Sequence, residues 1–396
     1  MSGDQLPIGR RVAYLRVRRR LSQQTFADRL GKSKSWVDKV ERGVRSLERV
    51  STIRDIAAVL RVDAAALLGR DAQPVDATGR AEGVARIRSA LSTYAMALGP
   101  SAAGREVLPA DRLARQVGHA WATFQHGRYP QVVDLLPRLL VDVQRAHVQD
   151  FRAGRTALVE AYRVTASVLV KLGEASLGWL AADRAMAAAT GDGVLVAAAA
   201  VQLGQVLRAS KRARSVLLAV AYRIAPDDRA EGTPQELSLC GSLLIQAALM
   251  AARSGDDRAA VELLDEAAEM AAQVGDGCDH HRTAFGPTAV ELARVAAAVD
   301  LGNGRDAVAL HEVATRREGW RWLPAEHRAA HLLDAARAYL LVDDSANAAR
   351  VLVRADSIAP TEVRHRPAAR DVVAQVARDP DAPTTITHLA SDLRVV

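Results

Sequence analysis

The stretch from Leu21 to Gly43 reads LSQQTFADRLGKSKSWVDKVERG and decides the fold of the amino-terminal part of the chain. Its apolar residues, spaced three and four positions apart, predict two short amphipathic helices. Ser22 and Ser33 suit the N-cap positions of these helices, and Gly31 suits the left-handed position that ends the first. Helices joined by so short a turn cross at a steep angle, which leaves the second free to enter a major groove of DNA.

The same helical spacing continues on both sides of this stretch. It predicts a domain of five short helices around one small core over residues 7–70, with Asp63 capping the fifth. Residues 71–80 are rich in polar and turn-forming residues and predict a linker. From 81 to 396 the chain consists of Ala-, Leu- and Val-rich segments broken by Gly-Asp and Gly-Arg pairs. We therefore expect an all-α protein with two domains.

The composition supports helices and places the basic charge at one end. Of the 396 residues, 49% are hydrophobic and only 4% aromatic, so the core must be built from small and aliphatic side chains. Residues 1–70 contain 16 Lys and Arg against 7 Asp and Glu, a net charge of +9, whereas the remainder sums to −2. A basic excess confined to one segment is typical of a nucleic-acid contact there.

Cysteine usage and hydropathy indicate the compartment. The two cysteines, Cys240 and Cys278, are too few for a disulfide framework, which favours a reducing cytoplasm. No uninterrupted apolar run reaches the ~18 residues of a membrane span, and the amino terminus lacks the apolar core of a signal peptide. We expect a cytoplasmic protein without a membrane partner.

The second region contains a repeat. Similar segments recur at intervals of 37 to 47 residues, and they begin at Gly127, Gly173, Ser210, Gly255, Gly302 and Asp343. Each predicts a helix, a tight turn and a second helix, with a small residue shortly after the turn. This pattern resembles a tetratricopeptide array, although those arrays repeat at ~34 residues. The resemblance implies a right-handed α-solenoid with a concave inner surface.

Residues 8–69 resemble the Cro/repressor helix-turn-helix family, also called XRE. The matching residues are Leu15, Arg16, Leu21, Ser22, Gln23, Phe26, Ala27, Leu30, Gly31, Ser33, Ser35, Val37, Val40, Glu41, Gly43 and the segment 60–63. Arg20 departs from the pattern, because the family often has Gly there. The resemblance implies a DNA-binding domain in which residues 33–41 form the recognition helix.

The resemblance also implies roles for individual side chains. The residues expected to meet base edges are Lys34, Ser35, Trp36 and Lys39. The residues expected to contact phosphates are Gln23, Arg42 and Arg45. Arg16 and Glu41 are expected to form a structural ion pair. Two alternatives remain open: the lysines could be solvated or touch phosphates only, and Trp36 could pack toward the fourth helix.

A single small module buries too little surface for tight operator binding. We therefore expect a homodimer on a pseudo-palindromic operator, with the repeats supplying the dimer contact. The domain order resembles actinobacterial helix-turn-helix regulators with tetratricopeptide repeats and, more distantly, the peptide-sensing RRNPP regulators. It implies a transcription regulator that responds to a small ligand or peptide. The alternative is an adaptor whose repeats capture a protein partner while DNA binding localises it.

Candidate residues for the ligand groove come from the first helices of the repeats. They are Trp121, Phe124, Arg163, Ser167 and Gln246. For the two aromatic residues the alternative is packing in the core, and Arg163 could equally be a surface charge.

The sequence contains few signals for metal binding or catalysis. The run Cys278-Asp-His-His lacks the second ligand pair that a structural zinc site needs. No nucleophile elbow or phosphate-binding loop is present in the sequence. We expect no metal, no cofactor and no enzymatic activity.

Overall fold

The structure, a computed structural model, describes residues 8–19, 21–43, 50–60, 77–92, 107–207, 211–226 and 231–395. Within these ranges the regular structure is helical and no strand occurs. The all-α prediction is thus confirmed for the described residues. The chain divides into two compact units, Met1–Asp76 and Ala77–Val396.

The described part of the first unit contains four helices. They are α1 (Ile8–Arg18), α2 (Gln23–Arg29), α3 (Lys34–Glu41) and α4 (Val50–Leu60). One side chain or more from each helix is buried in a common core, which includes Val12, Phe26, Val37, Ile56 and Leu60. The predicted fifth helix, which would begin near Asp63, lies outside the described residues.

The predicted linker, 71–80, is too long at its carboxyl end. Helix α5 (Ala77–Leu91) begins inside it and belongs to the second unit. The Thr-Gly pair at 78–79 suggested a loop, but Ile87 and Leu91 farther along the same helix are completely buried. Their burial stabilises the helix despite a glycine in its first turns.

The described part of the second unit contains fifteen further α-helices. They are α6 (Ala110–Gln125), α7 (Tyr129–Gln149), α8 (Phe151–Lys171), α9 (Ala175–Ala189), α10 (Gly193–Val206), α11 (Lys211–Ile224), α12 (Pro234–Arg253), α13 (Asp257–Val274), α14 (Pro287–Asp300), α15 (Gly304–Arg316), α16 (Ala325–Leu341), α17 (Ser345–Ile358), α18 (Pro360–His365), α19 (Pro367–Ala377) and α20 (Thr384–Asp392). Two short 3₁₀ helices, His280–Arg282 and Glu318–Trp322, precede α14 and α16.

Helices α6 to α17 form six consecutive hairpins, one at each repeat in the sequence. Five of the turns have a residue with positive φ at the start of the repeat: Gly127 (68°), Gly173 (78°), Gly255 (73°), Gly302 (82°) and Asp343 (59°). In each, the next N–H donates to the carbonyl five residues earlier, at 2.9–3.1 Å. This is the hydrogen bond of a Schellman motif. The turn at Ser210 lies outside the described residues.

Small side chains allow the helices of the second unit to approach closely. Ala181, Ala182 and Ala185 on α9 are completely buried, and the four consecutive alanines of α10, 197–200, are buried as well. A helix that is buried on every side must be surrounded by its neighbours. The core is therefore built largely from Ala, Leu and Val, as the low aromatic content predicts.

Contacts between early and late helices close the second unit on itself. Glu362 on α18 is completely buried; it accepts a hydrogen bond from Tyr129 Oη at 2.6 Å and pairs with Lys171. Burial by itself would raise the pKa of Glu362, but the charges of Lys171 and Arg366 hold that pKa below its usual value. Thr361 also donates a hydrogen bond to the carbonyl oxygen of Gly127. These contacts connect the first two hairpins to the segment that follows the last.

Helix α12 is long and apolar enough to cross a membrane, judged by length and composition alone. Its most apolar 18-residue window is 72% buried inside the second unit. Core helices of soluble proteins have the same properties, and α12 packs as such a helix within the second unit.

Candidate DNA-binding surface

Helices α2 and α3 are joined by the turn that the sequence predicts. Ser22 Oγ accepts the N–H of Thr25 at 3.0 Å, and Ser33 Oγ accepts the N–H of Trp36 at 3.2 Å. Gly31 between them has φ +61°, which a glycine adopts without strain. Because both helix starts are capped by side chains and only four residues connect the helices, the crossing of the two helices is fixed locally.

Helix α3 has one buried and one exposed face. Val37 and Val40 are each 1% exposed and anchor the helix to the core. Lys34, Ser35 and Lys39 are exposed. These three predicted base-reading residues therefore share an unobstructed side of the helix, where long basic side chains can reach a ligand.

Trp36 does not share that exposed side. Its side chain is half-buried and packs against the core cluster of the first unit. Packing, one of the two alternatives, fits this half-buried position, and base reading by Trp36 stays a prediction. A large apolar ring gains more from burial than from exposure to water.

Arg16 and Glu41 form a two-point ion pair between α1 and the end of α3. Arg16 Nε lies 2.6 Å from Glu41 Oε1, and Arg16 Nη2 lies 3.0 Å from Glu41 Oε2. The two side chains are 12% and 6% exposed, respectively. Arg16 Nη1 also donates to the carbonyl oxygen of Leu21 at 2.7 Å. The guanidinium thus links α1, the segment before α2, and α3.

Gln23 takes part in the same network. Its side-chain amide donates to Glu41 Oε2 at 2.8 Å, so the carboxylate accepts three N–H groups. The prediction gave Gln23 a phosphate contact, whereas the structure gives this half-buried amide a structural partner. An amide nitrogen carries two hydrogens, so a contact with phosphate would have to use the second.

Of the two arginines predicted to contact phosphates, Arg42 lies within the described residues. Arg42 follows α3, is 65% exposed, and pairs with Asp38 one turn earlier at 3.3 Å. Such exposed pairs are weak, so Arg42 can exchange Asp38 for a phosphate at little cost. Arg45 lies outside the described residues.

Gly9 was not identified from the sequence. A side chain at this position would overlap the main-chain carbonyl of Val40 near the end of α3. Helix α1 therefore approaches α3 so closely that only hydrogen fits there. The available signal was a glycine inside a segment with helical spacing, where alanine would otherwise be favoured.

The candidate groove residues of the second unit do not line an open groove. Trp121 is 2% exposed and Phe124 is 4% exposed, and the indole of Trp121 donates to Glu160 at 2.8 Å. Arg163 is completely buried, where it pairs with Glu160 and donates to Gln202 Oε1 at 2.7 Å. Core packing, the alternative for the aromatic pair, is correct, and Arg163 is neither a groove residue nor a surface charge.

The other two groove candidates are also enclosed. Ser167 is 3% exposed. Gln246 is half-buried, and its Cβ would lie 3.2 Å from a side chain added at Gly204. The sequence located the helices correctly, but it did not show which neighbouring helices cover their inner faces.

The run 278–281 leads into the short 3₁₀ helix His280–Arg282. Cys278 is exposed, and the carbonyl oxygen of His281 accepts a hydrogen bond from Arg163 Nη2 at 2.8 Å. Within the described part of the chain, no group of three or more His, Cys, Asp or Glu side chains is placed to hold a metal ion.

Comparison with known proteins supports the assignment of the first unit as a helix-turn-helix domain. Residues 7–68 match the family model described as a helix-turn-helix domain. No curated protein and no solved structure matches the chain. The match covers the unit in which the capped α2–turn–α3 motif presents Lys34, Ser35 and Lys39. Residues 7–68 therefore form an XRE-like helix-turn-helix domain, and this domain indicates a DNA-binding regulator.

Proposed function

We propose that the protein is a sequence-specific transcription regulator that binds a pseudo-palindromic operator as a homodimer and changes its DNA affinity when a small ligand or peptide binds the second unit. The proposal includes a cytoplasmic location, no catalytic activity, and a tetratricopeptide-like right-handed arrangement of the hairpins. The observation that carries it is the exposed basic side of α3.

The electrostatics of α3 support base reading. Lys34 and Lys39 are exposed, and the acidic residue between them, Asp38, is occupied by Arg42. Glu41 faces the other way and is neutralised by Arg16. The side of the helix that can enter a groove therefore retains its positive charge, and lysine can donate to guanine O6 and N7.

Dimerisation follows from the size of the module. One helix-turn-helix domain contacts a single half-site, and repressors of this kind bind two half-sites about 34–36 Å apart. The second unit supplies the additional surface and is large enough to hold a partner copy. Sedimentation of the full-length protein, alone and on operator DNA, tests this part directly.

The operator experiment separates the roles within the domain. Operator sites are first found by genomic footprinting, and affinities are then measured over single-base variants of the site. Lys34→Ala and Lys39→Ala should each relax the preference at one base position by about 1–3 kcal/mol. Arg42→Ala should weaken all sequences equally and reduce the salt dependence. Arg258→Ala, an 86% exposed arginine on α13, is the matched control and should change neither.

Two results would contradict the proposal. A uniform loss of affinity in both lysine variants would mean that they contact phosphates only. An adaptor, the alternative function, would capture a protein partner while its operator affinity stayed constant with and without ligand.

A further inference from the structure

A cavity of about 310 Å³ lies in the second unit, and all of its lining residues belong to that unit. Its wall combines the end of α6, the loop 276–284, and the segment from Gly319 to the first turn of α16. It thus lies where an early hairpin meets a late one. Ligand sites for small molecules begin at about this volume.

Arg328 is the arginine of this cavity wall. It lines the wall, and its buried Nε has no hydrogen-bond partner. Among the described residues, no carboxylate lies within 4.0 Å of its guanidinium. Burial, and secondly the nearby charge of Arg354, lower the pKa of Arg328. A partly desolvated guanidinium with another cation nearby attracts an anionic acceptor.

The two acidic residues of the wall already have protein donors. Asp276 accepts the N–H of Thr288 at 3.0 Å and its hydroxyl at 2.7 Å. Asp279 accepts the amide of Gln125 at 2.8 Å and the N–H of Ala284 at 2.9 Å. These carboxylates hold the loop in place, and Arg328 Nε is the buried polar side-chain atom of the wall that lacks a partner.

The first turn of α16 adds to the same preference. Its N-cap is Pro324, which makes no side-chain cap, and Pro324 and Ala325 both line the cavity. The first N–H groups of a helix have no partner within the helix and carry a partial positive charge. Helix and guanidinium therefore favour negative charge at one end of the cavity.

Part of the remaining wall is apolar. Trp322 is 59% exposed, and Leu323 and Pro324 follow it along the wall. A side chain added at Gly277 would lie 3.9 Å from Trp322 Cγ, so the indole stands beside the loop. A large aromatic side chain left exposed at the mouth of a cavity provides a stacking surface for a planar ligand.

The loop itself is held in an unfavourable backbone conformation. Three non-glycine residues within four positions have positive φ: His281 (51°), Arg282 (61°) and Ala284 (48°). Strained backbone of this kind persists where surrounding contacts enforce it, and it is concentrated at functional sites. Here the bonds to Asp279 and Arg163 enforce it.

We propose that this cavity binds a small organic anion, whose carboxylate pairs with Arg328 and the start of α16 and whose planar apolar body packs against Trp322. The site deepens the ligand response proposed above, and its regulatory meaning rests on that proposal, whereas its binding chemistry does not. A ligand in this cavity contacts both an early and a late hairpin. Its binding free energy therefore stabilises the arrangement in which these two hairpins are in contact.

The test uses a probe pair that differs in charge alone. The full-length protein is titrated with 2-naphthoate and with its neutral counterpart 2-naphthamide. Binding is read by calorimetry and by protection of Cys278, the exposed thiol of the wall, from a chromogenic thiol reagent; the other cysteine, Cys240, is buried. Naphthoate should bind and slow the modification, and naphthamide should bind roughly tenfold more weakly.

Variants assign the effect to the cavity. Arg328→Gln should remove the difference between the two probes, and Trp322→Ala, at an exposed position, should weaken both. Arg258→Gln, on α13, changes an exposed arginine outside the wall and should alter neither. Equal affinity for the two probes, no protection of Cys278, or an unchanged difference in Arg328→Gln would overturn the proposal.

Operator affinity is measured separately, with and without naphthoate. If the protein binds its operator but not naphthoate, the proposed anion site is refuted and the proposed regulatory function is not. If the protein binds naphthoate in the manner described but does not bind DNA, the proposed anion site is supported and the proposed regulatory function is refuted.

Discussion

Replacing Glu41 by glutamine tests whether the Arg16–Glu41 pair holds the recognition helix in place. The substitution keeps the shape of the side chain and removes its charge. Arg16 is only 12% exposed, so its guanidinium would lose its counter-ion in a site that water reaches poorly. One amide oxygen would replace two carboxylate oxygens that accept from Arg16 and Gln23.

The size of the effect follows from burial. Removing one partner of a buried ion pair costs roughly 3–5 kcal/mol. Because the amide retains one acceptor for Arg16, we expect the lower end, about 3 kcal/mol. The exposed pair Asp38–Arg42 provides the control, since Asp38→Asn should cost less than about 1 kcal/mol.

Native-state hydrogen exchange of the full-length protein measures this free energy locally. In peptides covering α2 and α3, Glu41→Gln should speed exchange by roughly 150-fold, which corresponds to the expected loss of stability. Peptides from the second unit should be unchanged. The double variant Arg16→Met with Glu41→Leu should recover most of the protection, because neither charge is then left buried. Equal effects of Glu41→Gln and Asp38→Asn would refute this reasoning.

Three further outcomes are expected. Gly9→Ala should destabilise the first unit by about 1–3 kcal/mol, because the added methyl group meets a main-chain carbonyl. Gly118→Ala is the control: nothing lies within 4 Å of the added methyl group, so this change should be neutral or stabilising. Thermal unfolding of the two variants and the parent measures the difference. His331 is buried and its pKa is lowered to about 3, so the unfolded chain binds an extra proton there below about pH 6.5. This one group should contribute a fall in the unfolding free energy of about 1.4 kcal/mol per pH unit from about pH 6.5 toward pH 3. Denaturant titration at several pH values should therefore show a shallower dependence of the unfolding free energy on pH in His331→Phe than in the parent. Lys171→Met should lower the unfolding free energy by about 3–5 kcal/mol, because it leaves Glu362 buried without its nearest cation. Calorimetry should show that the double variant Lys171→Met with Glu362→Leu is closer in stability to the parent than Lys171→Met alone.

Local signals in the sequence predict the helix-turn-helix well. Ser22, Gly31 and Ser33 act within a few residues of themselves, so their roles follow from the adjacent sequence. The same holds for the hairpin turns, where a glycine or Asp343 supplies the positive φ that the turn needs. These features depend on backbone conformation rather than on the tertiary fold.

Long-range features were harder to predict. The bond from Gln23 to Glu41 spans 18 residues, and the bond from Tyr129 to Glu362 spans 233. Periodicity shows that a helix has an apolar face, but it does not show which helix covers that face. Trp121 and Phe124 are therefore predicted in a groove although they pack into a core formed with neighbouring helices. Gly9 gives no clear signal because the carbonyl that excludes a side chain there lies on another helix.

Closure of the second unit has a consequence for shortening the chain. Repeat proteins whose units touch only their neighbours lose stability gradually when end repeats are deleted. Here a protein truncated before Pro360 would lose Glu362, and with it the partner of Tyr129 and of Lys171 in the first two hairpins. Deletion of the carboxyl-terminal helices would thus destabilise the region around residue 129. The hairpins should therefore unfold together as one cooperative unit rather than one after another from the end.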